Sequence, residues 1–323
     1  MRRVEIGRVA VRASILASAV LALPLASQAA APKPPSPVVN PGYADQLTVS
    51  SAALHGSISP GGAGVSYFFE YGHTQGYGAQ TPTLPLERGT QTIHVSAAIT
   101  GLSVNSTYHF RLVAVGPGAV VHGADRSFKT PKIPLTLTIT AAPNPTTFGS
   151  PVAVSGTLSG TESPNHQVAL QATPFPYLSG FKYISNPQLT NASGGFSFSL
   201  ANISRNMQLR VVTIGAPVVQ SSVLSELVMV RASLHARPTA RRRFVRFYGV
   251  VAPSEVGVHV TFQWLKPGGG PINLGGAITR KGNPNFARFS RVLHVRHRGL
   301  YRVFVHVTNG KQISGYSRAI IVR

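Results

Sequence analysis

Thr107-Tyr108-His109-Phe110-Arg111-Leu112-Val113-Ala114 decides the fold. Tyr108, Phe110, Leu112 and Ala114 recur at every second position, so one face of an extended chain is apolar and the other polar. Upstream, Ala52, Leu54, Gly56 and Ile58 alternate with small polar residues until Pro60-Gly61-Gly62, and Tyr67, Phe69 and Tyr71 alternate next. Downstream the rhythm continues through Val152, Val154, Gly156 and Leu158, then Val168, Leu170 and Ala172. It closes with Val258, Val260, Phe262 and Trp264, and with Tyr301, Val303, Val305 and Val307. Gly, Pro, Asn and Ser punctuate these runs at roughly ten-residue intervals, the spacing of an all-β sandwich.

A chain of 323 residues is too long for one such unit. The runs divide it into three tandem immunoglobulin-like β-sandwiches over residues 43–131, 133–230 and 231–323. They share length and strand rhythm and are not close sequence repeats. A leader precedes them: Arg2, Arg3, Arg8 and Arg12, an apolar run from Ala13 to Leu25, then Ser27-Gln28-Ala29. This pattern predicts a signal peptide over residues 1–29, cut near Ala29; an uncut anchor is the alternative. Pro32-Lys33-Pro34-Pro35-Ser36-Pro37 falls in an extended spacer assigned to residues 30–42. The expected location is secreted, with association to a cell wall.

The stretch Leu102 to Ala114 resembles the fibronectin type III signature, in which a Leu and a Tyr flank the corner into a central strand. The resemblance covers residues 43–131. Phe68-Phe69-Glu70-Tyr71-Gly72 is similar to the version found in bacterial secreted proteins, and the usual early core tryptophan is missing. Thr190-Asn191-Ala192-Ser193-Gly194-Gly195-Phe196-Ser197-Phe198 resembles prealbumin-like and other Ig-like repeats. Gly299-Leu300-Tyr301-Arg302-Val303-Phe304-Val305, with Trp264, resembles the tyrosine corner and core tryptophan of immunoglobulin folds. These resemblances imply a spacer or binding module, perform no chemistry by themselves, and leave the sequons at Asn105, Asn191 and Asn202 unmodified in a bacterial setting.

Thirty Lys and Arg face eight Asp and Glu, and cysteine is absent. Disulfides, thiolate metal sites and cysteine nucleophiles are therefore excluded. The charge is concentrated: residues 231–323 hold seventeen basic side chains and one acid, Glu255. Strand alternation turns Arg246, Arg288, Arg296, Arg298 and Arg302 outward, and Arg241-Arg242-Arg243 marks the module's entrance. Arg242, Arg243, Arg246, Arg288, Arg296, Arg298 and Arg302 are the expected polyanion contacts, since a guanidinium fork suits phosphate and carboxylate. An anionic envelope polymer or acidic glycan is the expected partner, with other surface proteins as further candidates. Membrane contact would run only through an uncut leader or lipid head groups. Nucleic acid is disfavoured, because no aromatic–basic interleaved groove is evident.

The acids are too sparse and scattered for a carboxylate pair, and no nucleophile elbow, H-E-x-x-H or phosphate loop occurs, so no enzymatic activity and no cofactor are expected. His294 and His297 lie three apart on a presumed strand, on opposite faces, which argues against a metal. Asp125-Arg126 reads as a strand-end ion pair or solvated turn. Phe175-Pro176-Tyr177-Leu178-Ser179-Gly180-Phe181-Lys182-Tyr183 mixes rings with turn residues. Its rings are read first as core; the alternative is a glycan platform on Tyr177 and Tyr183 in a carbohydrate-recognition accessory protein.

Overall fold

A computed structural model describes residues 36–323. The expected leader, its expected cleavage near Ala29 and the first part of the expected spacer lie outside the described residues. The described chain is all-β and folds as three tandem immunoglobulin-like sandwiches, each closing its own hydrophobic core.

In the first sandwich, strands Val38–Asp45, Ser51–Ser59 and Ile93–Thr100 form one sheet. Val65–Gly72 and Thr107–Gly116 form the centre of the other. The alternating residues of the opening motif interdigitate between them, with Leu54, Ile58, Phe69, Phe110 and Leu112 fully buried. Tyr108 closes the corner, its hydroxyl accepting the Ser103 N–H at 2.9 Å. The spacer assignment needs correction: chain from Val38 already pairs with Ser51–Ser59, and Val39 is buried. Pro41 is tolerated because the strand is at the sheet edge and its register slips just after it, between Pro41 and Ala44.

The second sandwich pairs Thr136–Ala142, Val152–Ser159 and Gly195–Leu200 over Gln167–Pro174 and Met207–Thr213. In the third, His235–Pro238, Phe244–Ala252, Phe286–His294 and Arg280–Asn283 face Pro271–Ile278, His259–Leu265 and Gly299–His306. Trp264 and Tyr301 are buried cross-strand neighbours, and the Tyr301 hydroxyl donates to the His297 carbonyl. His297 lies past the strand end and stacks on Trp264 with 4.3 Å between ring centroids, so the opposite-faces reading of His294 and His297 does not apply.

The modules share more than rhythm. Glu70, Gln171 and Gln263 lie opposite Arg111, Arg210 and Arg302 on the two central strands of their respective sheets. In each, the arginine Nε donates to that carboxylate or amide oxygen, at 2.6, 2.8 and 2.9 Å. In each, the guanidinium also lies over a ring: Tyr77 at 4.6 Å, Phe181 at 4.2 Å, Tyr316 at 4.0 Å. A glycine recurs as well. Gly56, Gly156 and Gly249 occupy matching places on the middle strand of the opposite sheet. A Cβ on Gly156 would fall 2.0 Å from the Thr138 carbonyl oxygen and 2.6 Å from the Phe196 ring, and on Gly249 2.0 Å from Ser233 O and 2.7 Å from Phe289.

The Thr138 carbonyl and Phe196 ring both close over Gly156, so a methyl there overlaps both and must displace them. Gly156→Ala is expected to destabilise the second sandwich by on the order of 1–3 kcal/mol, the cost of overpacking, read as a lowered thermal midpoint.

Candidate functional site: a cationic sheet face in the third module

The candidate site is built by cross-strand register. Directly opposed residues in an antiparallel pair point to the same face. Val245, Phe247 and Val251 point into the core, so Arg246, Tyr248 and Val250 of the same strand point out. Arg237 lies directly opposite Arg246 on one side. On the other, Arg288 lies opposite Val250, and Arg280 lies opposite Arg288. Between these rows sits His235–Tyr248–Ser290, with the His235 and Tyr248 rings stacked at 5.5 Å and 26°. The face is thus an arginine pair, an aromatic row, and a second arginine pair.

An open groove of about 1150 Å³ covers the aromatic row and the second arginine pair, lined among others by His235, Tyr248, Arg280, Arg288 and Arg291; the Arg237–Arg246 pair lies on the face beyond it. Arg291 reaches across to the facing sheet, where it donates to the Gly276 carbonyl. That bond fixes one wall of the groove by tying the Phe286–His294 strand to Pro271–Ile278.

The expected contacts separate into three groups. Arg246 and Arg288 share the face just described. Arg242 and Arg243 form the turn before Phe244–Ala252, and the Arg243 carbonyl accepts the Val295 N–H at 2.7 Å. This places Arg296 and Arg298, in the following loop, at the same end of the module. Arg241 lies over Phe244, which in turn packs against His294. Arg302 is apart: it stands on the other sheet, held by Gln263 and Tyr316. Sequence reasoning missed Arg237, Arg280, Arg291, His235 and Tyr248. Their charge and aromaticity were visible, but register alone brings them together. The face also interleaves rings with arginines, contrary to the reading that no such groove exists.

Counter-charge is missing here. Among the described residues the ion pairs are His55–Asp45, His109–Asp125, Arg111–Glu70 and Lys132–Glu162, none of them in the third module. Like charges directly opposed on a sheet destabilise it.

Other sequence candidates resolve differently. Asp125 does not pair with Arg126; it accepts from Tyr77, His109 and Gln75 at 3.0, 2.8 and 3.3 Å. Burial alone would raise its carboxyl, but these hydrogen bonds outweigh it and hold the group below the usual carboxylate range. The rings of residues 175–183 are not core. Tyr183 is 60% exposed, and Tyr177 is half-buried with its ring edge-on to Phe175 at 5.6 Å. Phe181 lies under Arg210, and Phe175 lies against Gly310 of the third module. Turn geometry draws the segment to the surface: Gly180 and Tyr177 both have positive φ. Among the described residues, no cluster of three or more His, Asp or Glu could hold a metal, and no helix is long and apolar enough to cross a membrane.

No family model matches the chain, and no curated protein sequence does. Solved structures do resemble it. A tetra-tandem repeat in the extending region of a large adhesion protein is 14% identical over 88% of this chain and 74% of that one, with a TM-score of 0.30. The FN1-FN3 domains of chicken CNTN1 are 12% identical over 88% and 97%, with a TM-score of 0.26. The sensor domain of the anti-sigma factor RsgI4 from Pseudobacteroides cellulosolvens is 18% identical over 30% and 95%, with a TM-score of 0.25. At these identities and scores none of them bears on what this chain binds.

One titratable group stands out elsewhere. Glu226 is fully buried, and among the described residues neither carboxylate oxygen accepts a well-formed hydrogen bond, the Thr146 backbone offering only a weak one. Asn144 holds the chain on both sides of it, donating to Ser225 O at 2.8 Å and accepting from Leu227 N at 3.1 Å. Burial pushes its pKa up to about 7, against a smaller opposing pull from the Thr146 backbone. The folded state therefore binds a proton that the unfolded chain has released above its ordinary value of 4.5. Stability from this group is complete below that value, falls as pH rises towards 7, and is lost above it. Glu226→Gln keeps the shape and removes the titration. Urea denaturation is expected to show the variant more stable than the native chain at pH 8, by on the order of 3 kcal/mol, with the advantage gone at pH 4.

Proposed function

We propose that the third module holds the protein to an anionic polymer outside the cell, and that the first two modules serve as spacer or docking surface. The observation that carries this reading is the cross-strand pairing of Arg237 with Arg246 and of Arg280 with Arg288, in a module whose one acid is Glu255. Such pairs repel each other and have no acidic partner among the described residues, so an external anion is the natural source of compensation.

The second module shows that the fold does not require this charge. Where the third module has Arg237, Arg246 and Arg288, the matching positions of the same sheet carry Ala142, Ala153 and Gly195, and Thr140 and Ser155 stand at the places of His235 and Tyr248. Solubility would be served as well by charge spread over all three modules, or by carboxylates. Arginine on a single sheet suits phosphate or carboxylate groups on a long ligand. The basic turn of Arg242 and Arg243, with Arg296 and Arg298 beside it, extends the contact at one end of the module.

The test is retention of the full chain on immobilised polyphosphate and polygalacturonate across a salt series. The native protein is expected to elute at moderate salt, because screening shortens the reach of exposed charges. The Arg246→Gln, Arg288→Gln double variant is expected to elute much earlier. Arg302→Gln, on the opposite sheet, is expected to elute close to the native protein. Retention that survives molar salt, or a loss equal at Arg302, overturns the proposal.

A further inference from the structure

The order of groups on the cationic face narrows the ligand. Along the Phe244–Ala252 strand the rows opposite Arg246, Tyr248 and Val250 are successive outward positions. Each step of two residues advances about 6.8 Å, so the two arginine pairs stand roughly 13–14 Å apart along the strand. The row between them holds no arginine or lysine, only His235, Tyr248 and Ser290. Tyr248 is 41% exposed, and its stacking on His235 joins two rings into one platform. Ser290 adds an exposed hydroxyl at its edge.

We propose, building on the polyanion reading, that this sheet face takes an acidic polysaccharide in which uncharged rings alternate with carboxylated ones. An uncharged pyranose lays its apolar C–H face on Tyr248 and His235, as amphipathic rings favour. The acidic neighbours on either side reach the Arg237–Arg246 pair and the Arg280–Arg288 pair, each of which can offer paired N–H donors to a carboxylate. Arg291, already bonded to Gly276, keeps the wall in place before the ligand arrives, which lowers the ordering cost of binding.

The same pattern disfavours other anions. A single-stranded nucleic acid carries a phosphate at every nucleotide and would set one over the row that lacks a permanent cation. A polymer acidic at every ring would do the same. A lipid surface offers charge without a ring to cover Tyr248.

The experiment uses the full chain and four probes: hyaluronate, in which neutral and carboxylated rings alternate; polygalacturonate; oligo-dT; and vesicles of phosphatidylglycerol. Hyaluronate is expected to bind tightest at matched charge and salt. Tyr248→Ala is expected to weaken hyaluronate roughly tenfold while leaving polygalacturonate nearly unchanged. Tyr248→Phe is expected to keep native affinity for both, and its thermal midpoint serves as the folding control. The Arg246→Gln, Arg288→Gln double variant separates the two readings. If it leaves every probe bound as before, the polyanion reading itself falls. If it weakens all of them but Tyr248→Ala changes none, or if oligo-dT or vesicles displace hyaluronate, only the alternating-glycan inference falls.

Discussion

The second and third sandwiches are each built around a place where a side chain cannot exist, and the first around one where a side chain would press on its neighbour. In the second and third modules a carbonyl of the neighbouring segment approaches so closely that a methyl on Gly156 or Gly249 would overlap it, and in the first a Leu112 methyl comes within 2.6 Å of where Gly56 would carry its Cβ. An aromatic ring, Phe196 or Phe289, covers the gap in the second and third modules. On the facing sheet, the arginine of the central strand is bonded to Glu or Gln and covered by a ring. Between these two features lie the fully buried residues, among them Phe69 and Phe110, Leu170 and Leu209, and Phe247 and Phe262. With no disulfide to join the sheets, close packing at these points must hold the layers together.

Much of this frame was legible in the sequence. Period-two alternation located the strands that carry Leu54, Phe110, Val154 and Val303, because burying one face leaves a signal within the strand itself. Trp264 and Tyr301 announced the third core for the same reason. Other features depend on which strand lies beside which, and no local pattern records that. The opposition of Arg280 to Arg288 spans a hairpin whose register slips between Lys281 and Asn283. The shared glycine and arginine escaped notice because one residue in about ninety is invisible until the strands are superposed. Val38 to Gly42 misled because proline-rich composition outweighed a short edge strand. The rings of residues 175–183 misled because aromatic residues are usually core, whereas here turn geometry places them at the surface.

The contrast between modules separates what the fold needs from what has been added to it. Alanine and glycine serve the second module where arginine stands in the third, and hydroxyls where His235 and Tyr248 stand. The serine facing the residue before the glycine is common to all three: Ser96 opposite His55, Ser197 opposite Ser155, Ser290 opposite Tyr248. The face was thus free to change around a fixed centre. Like charges on this face repel one another, and the anion proposed for it, by binding the folded form alone, would offset that cost by mass action.

The two joints of the chain are made differently. At the second, Asn206 engages all four of its polar groups: N–H to Lys311 O, amide N–H to Gly310 O, amide oxygen from Val228 N–H, and carbonyl from Phe175 N–H. Gln312 adds a bond to Ser204 O. At the first, the connecting residue Lys132 makes an exposed pair with Glu162 of the second module, which salt screens. The later joint is a splint and the earlier one a strap. A ligand on the last sandwich, as proposed above, would therefore find that module's orientation fixed against its neighbour by these buried bonds, while the first joint offers it no such brace.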